Sequence, residues 1–320
     1  MKLIKLFSVV AALLLIGLFL GCKGDSSTGP EESPWVKASD WVANANWDAK
    51  TTIVVTMHEE SANDFHFEPS EITLEAGKPY VLKFTNPAGN SSKHYFATEG
   101  AKDFLQAIAT RKVQTPDAEY KAPYFKAVEL LIGGEVELYF IPVLAGTYDF
   151  LCTITGHKEA GMTGKITVTG GEGYELDLEV DTNFDMGLTT DARTSGSNPV
   201  WSTAQEVTVQ MIENADGSLA FDPETLTLTK DTGYKINLVN DGSNESKHYY
   251  TCTDFYKSVV TRKAEDSYAE IKVPYFNAIE LLIGGNTELF LVPTKTGEFE
   301  VICTIAGHQE AGMHGHIVVQ

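Results

Sequence analysis

Residues 152–162 read CTITGHKEAGM, and residues 303–313 read CTIAGHQEAGM. In each stretch a cysteine, a histidine and a methionine stand five positions apart, and a glycine precedes both the histidine and the methionine. Glycines in these places let a short loop turn tightly, so that its three donor side chains can converge on one point. The two stretches therefore predict the same loop, built twice.

An upstream histidine completes each set, His94 before the first loop and His248 before the second. A thiolate, two imidazoles and a thioether are the donors that copper uses in electron-transfer sites, where the thioether is the weak axial ligand. Thr153 and Thr304 follow the cysteines, and we expect them to donate hydrogen bonds to the sulfur. The sequence predicts two type 1 copper sites, with the ligands His94, Cys152, His157 and Met162 in one and His248, Cys303, His308 and Met313 in the other.

The repetition extends over most of the chain. Trp47 to Met57 matches Trp201 to Met211, and KAPYFKAVELLIGG at residues 121–134 matches KVPYFNAIELLIGG at residues 272–285. Within each copy, short runs of alternating apolar and polar residues are separated by Gly, Pro and Asn, a pattern typical of β-sandwiches. We predict an all-β protein with two domains in tandem, at residues 47–169 and 201–320.

One short helical insertion is predicted in each copy, at Ala101 to Lys112 and around Asp254 to Lys263. Between the copies, residues 170–200 have no counterpart and are rich in Gly, Asp, Thr and Ser, which indicates a linker. An extra strand is predicted within it at Tyr174 to Val180. Such a linker either permits domain motion or lies across a surface, and the sequence leaves both open.

The N-terminus has the features of an export signal: two lysines, an apolar run from Leu6 to Leu20, then Gly21 and Cys22. Leu18 to Cys22 resembles the lipobox of bacterial lipoproteins, in which the cysteine is acylated, although Phe19 stands where that motif usually has Leu. The alternative is an ordinary signal peptide with an incidental cysteine. We predict a signal peptide at residues 1–22, a tether at residues 23–46, lipidation at Cys22, and an exported protein anchored in the periplasm or outer membrane.

The net charge and Cys252 bear on the choice of partners and on the reactivity of the chain. The formal net charge is −20 at pH 7, which argues against a nucleic-acid partner. Such a field favours basic redox partners, although an acidic soluble surface would have the same composition. Cys252 lies outside both metal patterns, and we interpret it as a small buried apolar residue rather than a reactive thiol.

Each copy resembles the cupredoxins, a family of Greek-key β-sandwich proteins that hold type 1 copper. The Cys-x4-His-x4-Met loop is similar to those of azurin, rusticyanin and auracyanin, and KHYF with APYFKAVELLIGG resembles copper-tolerance cupredoxins. The resemblance covers nearly all of both copies and implies that electrons pass through the exposed edges of His157 and His308. Tyr95 and Tyr249 depart from azurin, which has an Asn at this position that braces the cysteine loop.

The residues beside the cysteines argue against copper enzymes. Multicopper oxidases, as a family, use a His-Cys-His triplet, whereas Cys152 lies between Leu151 and Thr153 and Cys303 lies between Ile302 and Thr304. Copper nitrite reductases place a histidine immediately before the type 1 cysteine, and purple binuclear centres need two cysteines per site. We therefore expect a non-enzymatic electron carrier with two type 1 coppers, whose partner is a c-type cytochrome or a respiratory complex.

The alternative function is copper binding or copper tolerance without a dedicated role in electron transfer. Four further histidines fall outside the repeated pattern. His58 and His66 are replaced by Ile212 and Ala220 in the second copy. With Met57 they either form an accessory copper site or are solvated. His314 and His316 either bind a second metal, face a partner, or lie on the surface.

Overall fold

The computed structural model describes residues 35–61, 63–98, 103–171, 174–178 and 199–320. The predicted signal peptide, Cys22 and most of the predicted linker lie outside the described residues. The described residues belong to one compact unit. None of their helices is long and apolar enough to cross a bilayer.

The first half of the structure, residues 51–169, consists mostly of strands, and one further short strand lies on either side of it in the sequence. In chain order they are β1 (Trp35–Lys37), β2 (Thr51–Ser61), β3 (Asp64–Glu68), β4 (Glu71–Glu75), β5 (Tyr80–Thr85), β6 (His94–Thr98), β7 (Ile108–Gln114), β8 (Ala118–Lys121), β9 (Ala127–Leu130), β10 (Glu135–Pro142), β11 (Gly146–Leu151), β12 (Thr163–Thr169) and β13 (Glu175–Asp177).

The second half, residues 205–319, repeats this order. Its strands are β14 (Gln205–Glu213), β15 (Leu219–Asp222), β16 (Thr225–Leu228), β17 (Tyr234–Asn240), β18 (His248–Tyr250), β19 (Val259–Glu265), β20 (Ala269–Lys272), β21 (Ala278–Leu281), β22 (Asn286–Pro293), β23 (Gly297–Ile302) and β24 (His314–Val319). The helices are α1 (Ala38–Asn44), α2 (Pro199–Ser202) and α3 (Thr253–Lys257), with 3-10 turns at Trp47–Ala49 and Phe104–Gln106. The all-β prediction is confirmed.

Two large sheets run through both halves. One has the strand order β18-β21-β8-β7-β10-β5-β2-β3, and the other has the order β15-β14-β17-β22-β19-β20-β9-β6-β11-β12-β4. The remaining strands of the second half, β16, β24 and β23, form a small sheet of their own. Residues alternate between buried and exposed along most strands, as in β4 and β17, because each sheet has one face on the core.

Each large sheet is continued by the other half. Strand β8 of the first half pairs with β21 of the second, with Lys121 opposite Ala278, and β20 of the second half pairs with β9 of the first, with Lys272 opposite Ala127. Since β8 and β20 are equivalent in the two copies, as are β9 and β21, the exchange is reciprocal. These pairs cover strand edges that would otherwise be free to pair with another chain.

The repeated LLIGG sequence is explained by this junction. The carbonyl oxygen of Tyr268 accepts a hydrogen bond from the N–H of Leu131, and the carbonyl oxygen of Asp117 accepts one from the N–H of Leu282, both at 2.9 Å. A Cβ atom on Gly134 would lie 2.2 Å from the Tyr268 oxygen, and one on Gly285 would lie 2.1 Å from the Asp117 oxygen. Only glycine lets the turn of the opposite half approach this closely.

A pair of glutamates also crosses the junction on each side. Glu129 lies opposite Glu270, and Glu119 lies opposite Glu280. Burial and the neighbouring Glu270 raise the pKa of Glu129, whereas Lys263, against the effect of burial, lowers the pKa of Glu270 to about 2. One member of the pair therefore stays protonated far more readily than the other, which reduces the repulsion between two buried carboxylates.

The helical insertions are much shorter than predicted. Ala101 and Lys102 lie outside the described residues. From residue 103 onward, Phe104–Gln106 forms a 3-10 turn, and Ile108 to Lys112 belong to strand β7. In the second half α3 ends at Lys257 and β19 begins at Val259. The predicted helical spacing of Phe104, Leu105 and Ile108 reflects a buried turn followed by a strand, because β7 pairs with β10, with one irregularity between Tyr139 and Phe140.

Residues 35–46, assigned above to the tether, include β1 and α1. Strand β1 pairs in parallel with β13, which falls within the predicted extra strand at Tyr174 to Val180. Ala38 of α1 is buried with Ala109, Ile141 and Leu176 in a small apolar cluster, so these segments pack against the first half. The proposed division into domains, tether and linker stays a prediction.

Gly134→Ala should destabilise the protein by about 1–3 kcal/mol, because its new methyl group has no space beside the Tyr268 carbonyl. The free energy of unfolding from urea titration of the metal-free protein checks this. Gly89→Ala is the matched control, since a Cβ atom there meets nothing within 4 Å. Equal stability of the two variants would contradict the tight junction.

Candidate metal centres

Strand ends bring the predicted ligands together. His94 begins β6 and Cys152 directly follows β11, and these strands pair with Leu151 opposite Ala97. In the second half, His248 begins β18 and Cys303 directly follows β23. The histidine of each loop, His157 or His308, then turns back toward the cysteine. We call His94, Cys152 and His157 the first site, and His248, Cys303 and His308 the second site.

The ligand atoms are spaced as around one ion. In the first site the Nδ1 atoms of His94 and His157 lie 3.1 Å apart, and Cys152 Sγ lies 3.5 Å from His157 Nδ1. In the second site the corresponding distances are 3.2 and 3.5 Å. Ligands bonded to a metal at about 2.0–2.3 Å have separations of this size. One sulfur and two imidazole nitrogens form the set expected for copper.

Met162 and Met313 close the loops. The N–H of Cys152 donates to the carbonyl of Met162 at 3.1 Å, and the N–H of Met162 donates to the carbonyl of His157 at 2.9 Å. The same two bonds join Cys303, His308 and Met313 at 3.1 and 2.9 Å. Both methionines are fully buried. The three donor residues of each loop are therefore held by one ring of backbone hydrogen bonds.

Burial sets the protonation of the first site. Desolvation, with the neighbouring His157 imidazole, lowers the pKa of His94 to about 4, and desolvation also lowers the pKa of His157. Desolvation raises the pKa of the Cys152 thiol. At neutral pH both imidazoles are thus neutral, with a nitrogen lone pair free for a metal, and the thiol keeps its proton until a cation displaces it.

Backbone N–H groups, rather than the threonines, are the donors to the sulfur. The N–H of Tyr95 lies 3.3 Å from Cys152 Sγ, and the N–H of Tyr249 lies 3.3 Å from Cys303 Sγ. Thr153 and Thr304 are exposed, so the expectation that they donate to the sulfur is wrong. Tyr95 and Tyr249 directly follow the upstream histidines, at the position where azurin has an Asn. Each supplies this bond through its backbone.

Comparison with known proteins agrees with this geometry. Residues 54–169 match the family of copper binding proteins described as plastocyanin/azurin. The copper-resistant cuproprotein CopI of Rubrivivax gelatinosus is 32% identical over 120 residues, which are 38% of this chain and 67% of CopI. The chain belongs to the plastocyanin/azurin family.

Two further similarities were found. Auracyanin-A of Chloroflexus aurantiacus is 30% identical over 108 residues, which are 32% of this chain and 66% of that protein. A solved multicopper oxidase, mgLAC, is 14% identical with a TM-score of 0.31, and the match covers 85% of this chain and 87% of that one. As a plastocyanin/azurin-family protein, the chain is a copper-binding protein.

The sequence analysis did not identify the carboxylate near the Nε2 atom of each upstream histidine, which is Glu59 for His94 and Glu213 for His248. Glu213 Oε1 lies 3.0 Å from His248 Nε2, whereas Glu59 Oε2 lies 3.9 Å from His94 Nε2. Hydrogen bonds from Ser246 and the N–H of Glu245, against the effect of burial, lower the pKa of Glu213 to about 2. At hydrogen-bond distance, the Glu213 carboxylate orients the buried His248 imidazole and fixes its tautomer. The signal was available, because Glu59 and Glu213 occupy equivalent positions in the two copies.

An aromatic ring distinguishes the two sites. The ring of Phe65 stacks on His157 with 4.3 Å between centroids, and His157 is 7% exposed. The equivalent residue in the second half is Leu219, and His308 is more exposed than His157. A ring therefore stacks on the loop histidine in the first site, and the second half has an aliphatic residue at the corresponding position.

Three of the other four histidines have carboxylate neighbours. The rings of His58 and His66 stack at 4.9 Å, with Glu68 Oε2 at 3.2 Å from His58 Nε2 and Asp64 Oδ1 at 3.0 Å from His66 Nδ1. His316 Nδ1 lies 3.2 Å from Glu298 Oε1, and His314 is exposed. Among the described residues, the groups of at least three closely spaced metal-ligating atoms are the first and second sites.

Copper loading of the first site should release about one proton per ion at pH 7, because the thiol of Cys152 is protonated and both imidazoles are already neutral. Anaerobic titration of Cys303→Ser with Cu(I) in weak buffer, followed with a pH indicator, measures it. The double variant with Cys152→Ser corrects for other sites. Release of two or more protons per ion would contradict the neutral imidazoles.

Phe65→Leu should increase the rate at which a chelator removes copper from the first site by about two- to tenfold. The reason is the loss of the stacked pair with His157, since such pairs contribute about 0.5–1.5 kcal/mol. Stopped-flow loss of the blue absorption measures the rate. Leu219→Phe provides the converse test, because it should slow loss from the second site. Unchanged rates in both variants would show that the covering side chain does not control access.

Proposed function

We propose that this protein is an exported electron carrier that holds two type 1 coppers. The first is bound by His94, Cys152, His157 and Met162, and the second by His248, Cys303, His308 and Met313. The observation that carries the proposal is the convergence of two imidazole Nδ1 atoms and one cysteine sulfur at each site. This donor set, with a methionine closing the same loop, favours copper that changes oxidation state.

The chain's own residues prepare each site for this role. Copper would supply the one-electron redox couple. Burial keeps the His94 and His157 imidazoles neutral, and the closed backbone of the 152–162 loop fixes the positions of the donors. A rigid site changes little between oxidation states, so little reorganisation is needed when an electron arrives or leaves. No general acid or base is required.

An enzymatic role is not part of the proposal. The residues beside the cysteines are Leu151, Thr153, Ile302 and Thr304, and none of them offers an imidazole that could connect the thiolate to a second, catalytic copper. The chemistry available to each site is therefore outer-sphere transfer of single electrons, through the loop histidine nearest the surface.

Location and partner form part of the same proposal. An acylated Cys22 would hold the protein on the periplasmic face of a membrane or in the outer membrane. A net charge of −20 favours encounter with a basic c-type cytochrome or the basic surface of a respiratory complex. Such encounters are electrostatically steered, so their rates fall as ionic strength rises.

Copper tolerance is the second candidate function. It is favoured by the similarity to CopI, which is named as a copper-resistant cuproprotein. In that role the sites would capture the ion, and their affinity would matter more than their potential. Deletion of the gene followed by growth on copper tests this candidate independently of the redox measurements.

The tandem sites predict two coppers per chain and an intense visible absorption from thiolate-to-copper charge transfer. Cys152→Ser and Cys303→Ser should each remove about half of this absorption and one copper, because each thiolate serves its own ion. Metal analysis with visible and EPR spectra measures both quantities. If either substitution alone abolished all of the colour, two independent sites would be ruled out.

The same preparation separates the two functions. An electron carrier should be reduced reversibly, and a basic c-type cytochrome should reduce it at a rate that falls with added salt. Stopped-flow mixing at several ionic strengths provides the measurement, with a neutral chemical reductant as the control. Tight copper binding without reversible reduction would leave copper tolerance as the function.

A further inference from the structure

A lysine from each half contacts the tyrosine beside the other half's cysteine. Lys272 of the second half donates a hydrogen bond to the hydroxyl of Tyr95, and its Nζ lies 4.3 Å from the centre of the Tyr95 ring. Lys121 of the first half does the same to Tyr249, with its Nζ 4.2 Å from the ring centre. The contact is thus made twice, in opposite directions across the junction.

These tyrosines are directly connected to the metal ligands. Tyr95 follows His94 in β6, and its N–H donates to the sulfur of Cys152 at 3.3 Å. The equivalent N–H of Tyr249 donates to Cys303 at the same distance. A shift of the tyrosine would therefore change the hydrogen bond to the sulfur, and hydrogen bonds to a metal-bound sulfur tune its redox potential.

The junction places the lysines here through strand register. Tyr95 lies opposite Glu129 on β9, and Glu129 lies opposite Glu270 on β20, so one cross-strand row runs from the first site into the second half. Lys272 stands two positions after Glu270, on the same face of β20, with its Nζ 3.7 Å from Glu270 Oε2. Lys272 therefore reaches Tyr95 only because β9 and β20 are paired.

A purely structural ion pair would not require this arrangement. Lys93 already lies 3.0 Å from Glu129, and Lys263 lies 2.8 Å from Glu270, so both carboxylates of the row have another lysine nearby. The contact particular to Lys272 is the one with the phenol of Tyr95, and Lys121 has the corresponding contact with Tyr249.

We propose that each half completes the other half's copper site: Lys272 is a positioning residue for the first site, and Lys121 is a positioning residue for the second. This inference rests on the proposed copper sites. Each lysine fixes the tyrosine whose N–H bonds the thiolate, and it adds a positive charge on that side of the site. Both effects stabilise the reduced, less positive site, so both raise its reduction potential.

The test measures one site at a time. Cys303→Ser retains the first site alone, and Cys152→Ser retains the second. Adding Lys272→Met to Cys303→Ser should lower the first site's potential, with about a tenfold change in the equilibrium constant for reduction, or 59 mV for one electron. Adding Lys272→Met to Cys152→Ser should leave the second site's potential unchanged. Lys121→Met should give the reverse pattern in the same two backgrounds.

Two further variants distinguish a positioning role of Lys272 from a general loss of structure. Lys272→Arg keeps the charge and donors, and it should restore most of the potential and the EPR spectrum of the first site. Tyr95→Phe removes the hydroxyl that Lys272 contacts but keeps the backbone N–H, and it should lower the first site's potential without removing copper. It also tests the contact if Lys272→Met does not fold.

The outcomes are distinguishable from failure of the proposed function. If Lys272→Met shifts neither site, or shifts both equally, while each single-site protein stays blue with one copper, the lysine assignment is wrong and the copper sites stand. If Cys303→Ser or Cys152→Ser holds no blue copper before any lysine is changed, the proposed copper function is what fails.

Discussion

Two reciprocal strand pairs, β8 with β21 and β9 with β20, are the constraint on which the rest of the structure depends. They turn two sandwiches into a pair of shared sheets, and they fix the register of every residue near the junction. The glycines of LLIGG, the paired glutamates and the lysines that reach across all follow from that register. An isolated half would expose two edge strands, and its Tyr95 or Tyr249 would lose the lysine of the other half.

Buried glutamates lie at the centre of the junction, and keeping them ionised there costs free energy. Glu129 and Glu280 are each 1% exposed, and their pKa values are raised by burial and by the carboxylate opposite. A raised pKa of an acid means that the folded state binds protons more tightly than the unfolded state, so this contribution to stability falls as pH rises above the ordinary value of 4.5. Lys93 and Lys247 limit the loss, at 3.0 and 2.9 Å from these carboxylates.

The donor residues could be predicted from the sequence because their identity and spacing carry the chemistry. The structure brings His94, Cys152 and His157 close together, and likewise their counterparts. The sharing of sheets could not be predicted, because a strand such as β8 has the same alternating pattern whether its partner lies in its own half or in the other. The supposed helix at Ala101 to Lys112 was wrong for a related reason: periodicity does not reveal the pairing partner that converts a short apolar run into strand β7.

Repetition of the loop does not make the two sites equivalent. The first has Phe65 over His157 and a carboxylate 3.9 Å behind His94, whereas the second has Leu219 at the corresponding position and a carboxylate 3.0 Å behind His248. A closer anion makes the His248 imidazole a better donor to an oxidised metal, which lowers a reduction potential relative to a site without it. His308 is also more exposed than His157. Under the proposed function, these differences would give the two coppers different reduction potentials.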